Sequence, residues 1–267
     1  MNIVLSDNEF QTIQKLIFKE VGIDLASSKK MLVQSRLLKR ILFYKFDSYL
    51  DYVRLIGINP QERIEMINLI TTNETYFFRE KDHFDFLNNH IIPNHPFKKK
   101  FRCWSAAASV GAEAYSIAMI VDSSIARNDW EVVGTDINTE VIKKARMGLY
   151  PEAWADKIPM LLKKQYCLRG KGRHEGQFLV ERVLSKNMKF MTGNLLEHNK
   201  EVGMFDVIFL RNVLIYFDDK TKELVVHNVL KNLHIGGYFI ISQTENLNMI
   251  TCDLIESVAT SVYKRIK

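Results

Sequence analysis

The chain has 267 residues, of which 47% are apolar and 25% charged, with only 12 Gly and 5 Pro. That suits one large domain, or a small and a medium one, and excludes disordered, collagenous and repeat-fibre classes. Lys and Arg number 37 against 31 Asp and Glu, so the formal charge of +6 permits an acidic partner without requiring one.

No stretch approaches the ~20 consecutive apolar residues of a membrane-spanning helix. The most apolar run, residues 207–217, contains Arg211 and Asn212. Asp7 and Glu9 interrupt any leader-like start. Cys103, Cys167 and Cys252 form no CxxC or CxxH pair, and the histidines show no H-x-x-x-H or H-x-H spacing. A cytoplasmic protein without a disulfide framework or bound metal is expected.

The first seventy or so residues read as helical. Ser6 and Glu9 fit a capping box, and Phe10, Ile13, Ile17 and Val21 follow at helical spacing. Ser27 or Ser28 can cap a second helix through about Tyr44, and Asp47 can start a third. Asn59, Pro60 and Glu62 fit a cap, a first-turn proline and a reciprocal carboxylate for a fourth.

After Phe101 the pattern becomes strand, turn, helix, repeated. Strands are expected at Phe101–Ala106, 131–136, 188–191, Phe205–Leu210 and 238–242. Helices are expected over 113–125, Thr139–Met147 and 220–233, and a final hairpin over 254–258 and 261–265. The alternation predicts an α/β, doubly wound, mostly parallel sheet over residues 73–267, preceded by an all-α domain over 1–72. Residues 165–191 break it. Gly170, Gly172 and Gly176 precede the alternating run Phe178, Val180, Arg182, Leu184, which reads as a small inserted antiparallel β-subdomain.

In such a sheet, ligands bind beyond the C-terminal ends of the strands. The small-residue loop from Ser105 to Gly111 lies there. Asp136 closes the second strand 25 positions after Gly111, where an acid can take the ribose hydroxyls of a nucleoside. The G-x-G-x-x-G fingerprint is absent, and Glu113 in the first turn of the following helix would repel a phosphate but accept a cation. A phosphate-free nucleoside bearing an ammonium or sulfonium group describes S-adenosylmethionine. Singly, Asp136 and Glu113 also read as a helix cap and an ordinary first-turn acid; at this spacing they favour a site together. Asn194-Leu195-Leu196 follows the third strand and residues 211–217 the fourth. An Arg-Asn pair ending a buried strand is costly unless partnered. Asn212 either caps a short turn or, with Tyr216, lines a catalytic pocket.

The segment Thr72-Asn73-Glu74-Thr75-Tyr76-Phe77-Phe78-Arg79-Glu80 sets two phenylalanines between a polar cluster and a cation at the domain junction. It resembles the signature of the chemotaxis receptor glutamate methyltransferases. The resemblance continues through Trp104-Ser105-Ala106, Ser109-x-Gly111-x-Glu113, Thr135-Asp136-Ile137, Asn194-Leu195-Leu196, residues 205–218 and Gly236-Gly237-Tyr238. It implies a Rossmann-like S-adenosylmethionine methyltransferase domain that forms glutamate methyl esters on chemoreceptors. By the same resemblance, Asn73, Thr75, Arg79, Glu113, Asp136, Asn194, Leu195 and Asn212 would contact the cofactor, and Arg79 and Tyr216 would face the transferred methyl. Where the family usually reads Gly-Glu-Glu-Pro, this chain has Gly111-Ala112-Glu113-Ala114. The first acid is lost, and a change in cofactor affinity is expected.

A glutamate with a pKa of about 4.3 is already ionised at neutral pH, so the reaction needs no general base. The motifs accordingly hold no His–Asp or Cys–His constellation. Residues 25–46 carry six Lys or Arg and no acid, and Lys29, Arg36 and Arg40 share one arc of a helix. That face is either simply solvated or a landing strip for an acidic receptor helix. The glycine-rich loop 169–176 is either a flexible connector or, as the resemblance implies, part of a subdomain that holds a receptor's C-terminal tail peptide by strand addition. A nucleic-acid methyltransferase would need a base-holding segment such as Asn-Pro-Pro-Tyr, which is missing after the fourth strand. A non-catalytic adaptor has only Ala112 in its favour. Neither nucleic-acid binding nor membrane insertion is expected.

Overall fold

A computed structural model describes residues 3–96, 99–125, 129–247, 250 and 253–267; Cys252 lies outside them. Helices α1 (Asp7–Val21), α2 (Lys30–Tyr44), α3 (Tyr49–Ile58) and α4 (Pro60–Ile70) build the N-terminal domain. The Ser6–Glu9 capping box is formed in both directions. The α1 stripe of Phe10, Ile13, Ile17 and Val21 packs into one core with Val33, Leu37 and Ile41 of α2 and Tyr49, Tyr52 and Ile56 of α3.

Three local expectations change. Ser27–Lys29 is a single 3-10 turn, and α2 starts at Lys30 without a side-chain cap. The cap of α3 is Ser48, not Asp47. Asn59 does cap α4, accepting from Glu62 N at 3.1 Å, but the Glu62 carboxylate does not return the bond. It turns inward, only 2% exposed, and accepts from Arg40 Nε at 2.7 Å and from the hydroxyls of Tyr44 and Tyr52 at 2.8 Å each. A buried carboxylate needs such partners, because desolvation otherwise outweighs everything a cap can return.

This pairing draws Arg40 off the basic face of α2. Arg36 is also engaged, donating to the carbonyls of Ile70 and Thr71 at the C-terminus of α4, where orphan carbonyls favour a cation. The exposed side of α2 carries Met31, Leu32, Lys39, Leu42 and Phe43 instead. Two of the three cations of the face drawn from charge spacing thus also serve the domain's own packing.

The second domain runs through α5 (Lys81–Phe86), β1 (Phe101–Ala106), α6 (Ala112–Ser124), β2 (Trp130–Asp136) and α7 (Thr139–Met147). An excursion follows with β3 (Leu149–Pro151), α8 (Met160–Tyr166), β4 (Cys167–Arg169), β5 (Gln177–Val180) and α9 (Arg182–Ser185). The chain then returns through β6 (Met188–Thr192), β7 (Phe205–Leu210), α10 (Asp219–Leu230), β8 (Leu233–Ile241), β9 (Ile255–Ala259) and β10 (Val262–Arg265). The main sheet has the order β6-β2-β1-β7-β8-β10-β9. It is parallel from β6 to β8, and the final hairpin adds antiparallel. The order reverses direction at β1, which places a ligand crevice at the ends of β1 and its neighbours.

The inserted sheet, β3-β5-β4, is antiparallel as expected but begins at Leu149. The alternating run stops at Val180, since Arg182 and Leu184 lie in α9. Three-residue strands are too short for period two to register. Gly236 and Gly237 lie inside β8 rather than before it, at a register shift against β7. A Cβ on Gly237 would stand 2.9 Å from the carbonyls of Asp206 and His234, so the bulge needs glycine there. Among the described residues, no helix is long and apolar enough to cross a membrane.

Candidate functional site

Beyond the C-terminal ends of β1, β2, β6 and β7, and roofed by the N-terminal domain, lies a cavity of about 460 Å³, within the usual range for small-ligand sites. The connector between α1 and α2 and the N-terminal end of α2 close one side with Ile23, Asp24, Leu25, Lys29 and Leu32. The interdomain strap supplies Asn73, Thr75, Tyr76 and Arg79.

The loop after β1 is shaped by backbone conformation. Ala107, Ser109 and Gly111 all have positive φ, at 67°, 51° and 91°. That turns Ser109 N toward Asp136 Oδ2, 2.8 Å away, while Asn138 N donates to Oδ1 at 2.9 Å. Burial raises the Asp136 pKa, and the backbone N–H groups of Asn138, Ser109 and Ile137 pull against it. Ser109 Oγ donates to Asn73 O at 3.0 Å, fixing the strap to this loop. A Cβ on Gly111 would lie 2.9 Å from Ala145 Cβ and 3.1 Å from the Phe190 ring. The glycine therefore lets α6 pack against α7 and β6. Ala112 and Ala114, in the first turn of α6, are fully buried, so the acid missing at 112 leaves packed core there.

Glu113 opens into the cavity from the first turn of α6. It accepts from Ser105 Oγ at 2.7 Å and from Arg211 Nη1 at 2.9 Å. Burial raises its pKa, opposed by the Arg211 charge. Arg211 also pairs with Glu80 Oε2 at 3.1 Å and donates to the Arg79 carbonyl. Burial pushes the Glu80 pKa up, but Gln243 N, Ser242 Oγ and Arg211 overcome it and bring it down to about 2. One cation thus stands between two carboxylates, and the surplus negative charge suits a cationic ligand.

Asn212 adopts φ 57°, and its amide donates to Ser242 Oγ at 2.7 Å and Glu80 Oε1 at 3.2 Å. The loop wraps around buried Glu245, whose carboxylate accepts from the backbone N–H groups of Asn212, Leu214 and Ser242 at 2.8–3.0 Å. Tyr216 borders the cavity, and burial raises its phenol pKa. Its carbonyl accepts from Asp24 N at 2.8 Å. Asn194 and Leu195 border the cavity after β6, with the Asn194 amide donating to Glu20 O at 2.9 Å. Arg79 Nη1 donates to Glu74 O at 3.3 Å, and its guanidinium sits 5.7 Å from the Tyr76 ring centroid.

All the cofactor and catalytic candidates drawn from the sequence border this cavity, as does Lys29; Arg36 and Arg40 do not. Sequence reasoning missed Glu80, Ser105, Glu245 and Asn138. A buried Arg211 in need of a partner was the one available signal, and its carboxylates lie far away in sequence.

Residues 73–263 match the family model described as CheR methyltransferase, SAM binding domain, and residues 8–71 that described as CheR methyltransferase, all-alpha domain. The chain belongs to the CheR methyltransferase family. The chemotaxis protein methyltransferase of Salmonella typhimurium is 38% identical over 251 residues, which span 92% of this chain and 86% of that protein. Chemotaxis protein methyltransferase 2 of Pseudomonas aeruginosa is 36% identical over 258 residues, spanning 96% and 92%. The Borreliella burgdorferi chemotaxis protein methyltransferase is 34% identical over 260 residues, spanning 92% and 91%. The resemblance carried by residues 72–80 and the later motifs is thus confirmed, and the cofactor of this CheR-family chain is S-adenosylmethionine. The residues fit it: two carboxylates, buried Asp136 and Glu113 at 14% exposure, border the cavity, and the glycine of the β1 loop serves helix packing.

Proposed function

We propose that this CheR-family methyltransferase esterifies glutamate side chains on chemoreceptors. The observation that carries the reading is the division of charge in the cavity. Arg211 is held between Glu80 and Glu113, whereas Arg79, among the described residues, is steadied by a backbone carbonyl and an aromatic ring. Arg79 is thereby the guanidinium left to hold an incoming carboxylate in a fork.

S-adenosylmethionine supplies a methyl group carried on a sulfonium. Asp136 would hold the ribose and Glu113 the cationic portion, with Asn73, Thr75, Asn194, Leu195 and Asn212 lining the remainder. No residue has to remove a proton, since the substrate carboxylate is already ionised. The work of the chain is orientation and exclusion of water, worth roughly 7–11 kcal/mol when two partners are held in contact. Tyr216 would complete the dry wall, its hydroxyl available to a carboxylate oxygen and its ring face to a cation.

A receptor's C-terminal tail would add as a strand at β4, one of the two edges of the inserted sheet, which carries exposed Leu168. Labelled tail peptides titrated against the protein give saturable binding on this reading. The test of the main reaction is transfer of radiolabelled methyl to receptor-containing membranes, followed by mild base. Methanol release is expected. Base-stable label would mean a different acceptor atom, and no label a binding protein without turnover.

A further inference from the structure

We propose that Glu80, which does not border the cavity, sets the direction in which Arg79 enters it. The inference rests on the reading of Arg79 as the substrate-holding cation. Arg79 is flanked by two residues in the left-handed region, Phe78 at φ 55° and Glu80 at φ 56°. Neither is glycine, so the surroundings must hold the turn in place. Three elements do so. Phe78 N donates to Ser116 Oγ on α6 at 3.0 Å. The Arg79 carbonyl accepts from Arg211 at the end of β7. The Glu80 carboxylate does the most, reaching Ser242 Oγ at 2.7 Å and Gln243 N at 2.9 Å past the end of β8, the Asn212 amide at 3.2 Å, and Arg211 Nη2 at 3.1 Å.

The same Arg211 therefore grips both ends of the problem: the carbonyl of Arg79 and the carboxylate of its neighbour. With Glu80 ionised, Arg211 is held where it pins Arg79 O, and the strained turn presents the Arg79 side chain to the cavity. With the charge removed, Arg211 keeps only Glu113 as a carboxylate partner, and the turn is free to relax. The Arg79 guanidinium then loses its aim, while Glu113 keeps its bond from Ser105 and Asp136 keeps its backbone donors. Glu80 is thus a positioning residue, and its loss should strike turnover rather than cofactor binding.

The test is a double-mutant cycle. Wild type, Glu80→Gln, Arg79→Lys and the double variant are compared for kcat on membranes holding an overproduced chemoreceptor, and for AdoHcy affinity by calorimetry. Glu80→Gln is expected to lower kcat at least tenfold, to leave AdoHcy affinity within threefold, and to cost less than twofold further in the Arg79→Lys background. Glu80→Asp, which keeps the charge, is expected to recover part of the loss, and it replaces Glu80→Gln in the cycle should the amide variant fail to fold. Equal losses in both backgrounds, affinity falling in step with kcat, or a loss under twofold would each overturn the proposal. Wild-type turnover by Arg79→Lys would overturn the reading of Arg79 itself. A damaged Arg79→Lys beside an intact Glu80→Gln would remove the clamp alone.

Discussion

Arg211 Nη1 stands 2.9 Å from Glu113 Oε2, joining the end of β7 to the first turn of α6 across 98 positions of sequence. The pair holds the Glu113 carboxylate, 14% exposed, in a fixed orientation at the cavity wall. Glu113→Gln keeps an acceptor for Ser105 and removes the charge. AdoMet and AdoHcy affinities are each expected to fall about tenfold, equivalent to about 1.4 kcal/mol. Calorimetry checks this, and unchanged affinity would remove Glu113 from the cofactor site.

Cofactor binding should also move protons. Burial raises the pKa of both Glu113 and Asp136. A ligand offering a cation to one and hydroxyls to the other favours their ionised forms, so it expels protons on binding. Affinity for AdoHcy is therefore expected to weaken as pH falls through the acid range. Calorimetry in two buffers of different ionisation heat should reveal proton release, and identical heats would contradict the linkage.

Glu80 has the opposite sign. Its folded pKa of about 2 lies below the ordinary 4.5, so its stabilisation is complete above about pH 4.5 and is lost as pH falls toward 2. Urea unfolding of the wild type should weaken steadily across that window. Glu80→Gln should flatten the slope there, and an unaltered slope would show that the bonds of the Glu80 carboxylate to Gln243 N, Ser242 Oγ and Arg211 contribute nothing net.

The buried cluster at Arg40 predicts a stability effect where charge spacing alone would suggest docking. Glu62 is 2% exposed and depends on Arg40, Tyr44 and Tyr52. Arg40→Ala leaves that carboxylate uncompensated and is expected to cost about 3 kcal/mol. Glu62→Gln added to it should cost much less than the two changes separately. Additive losses in denaturant unfolding would mean the four groups do not act as a unit.

What could be read in the sequence, and what could not, divides along contact range. The strand Phe205–Leu210 was legible because a parallel strand buried on both faces carries a continuous apolar run, here Val207 to Leu210. The place of Asp136 and Glu113 at the cavity was legible because it follows from position at a strand end and a helix start. The fate of Arg36 and Arg40 was not, since helical periodicity places side chains on an arc without saying which arc meets α4. The short strands β3 and β4 carry too few residues for a period. Glu80 and Glu245 were invisible because their partners are brought near only by the folded sheet; Ser242 and Gln243 are over 160 positions from Glu80.

The roof of the cavity is latched by asparagines, and the latch should govern how long the cofactor stays. Asn68 of α4 donates to Thr139 Oγ1 and accepts from Thr139 N, each at 2.9 Å, while Asn138 donates to Asn68 O at 2.9 Å and Thr71 Oγ1 at 2.7 Å. These bonds tie the end of the N-terminal domain to the first turn of α7, just beyond Asp136. Asn68→Ala removes both side-chain bonds and leaves Thr139 N without its side-chain acceptor, at a cost of about 1–3 kcal/mol. Because Ile23, Asp24 and Leu25 wall the cavity from the same domain, looser docking opens an exit without altering the cofactor's own contacts. Stopped-flow measurement is expected to show AdoHcy dissociating severalfold faster, with association little changed. Asn68→Asp, which keeps the acceptor for Thr139 N and loses the donor, should fall between. If both variants release AdoHcy at the wild-type rate, the N-terminal domain is not the gate, and the cofactor must leave by a path that these bonds do not close.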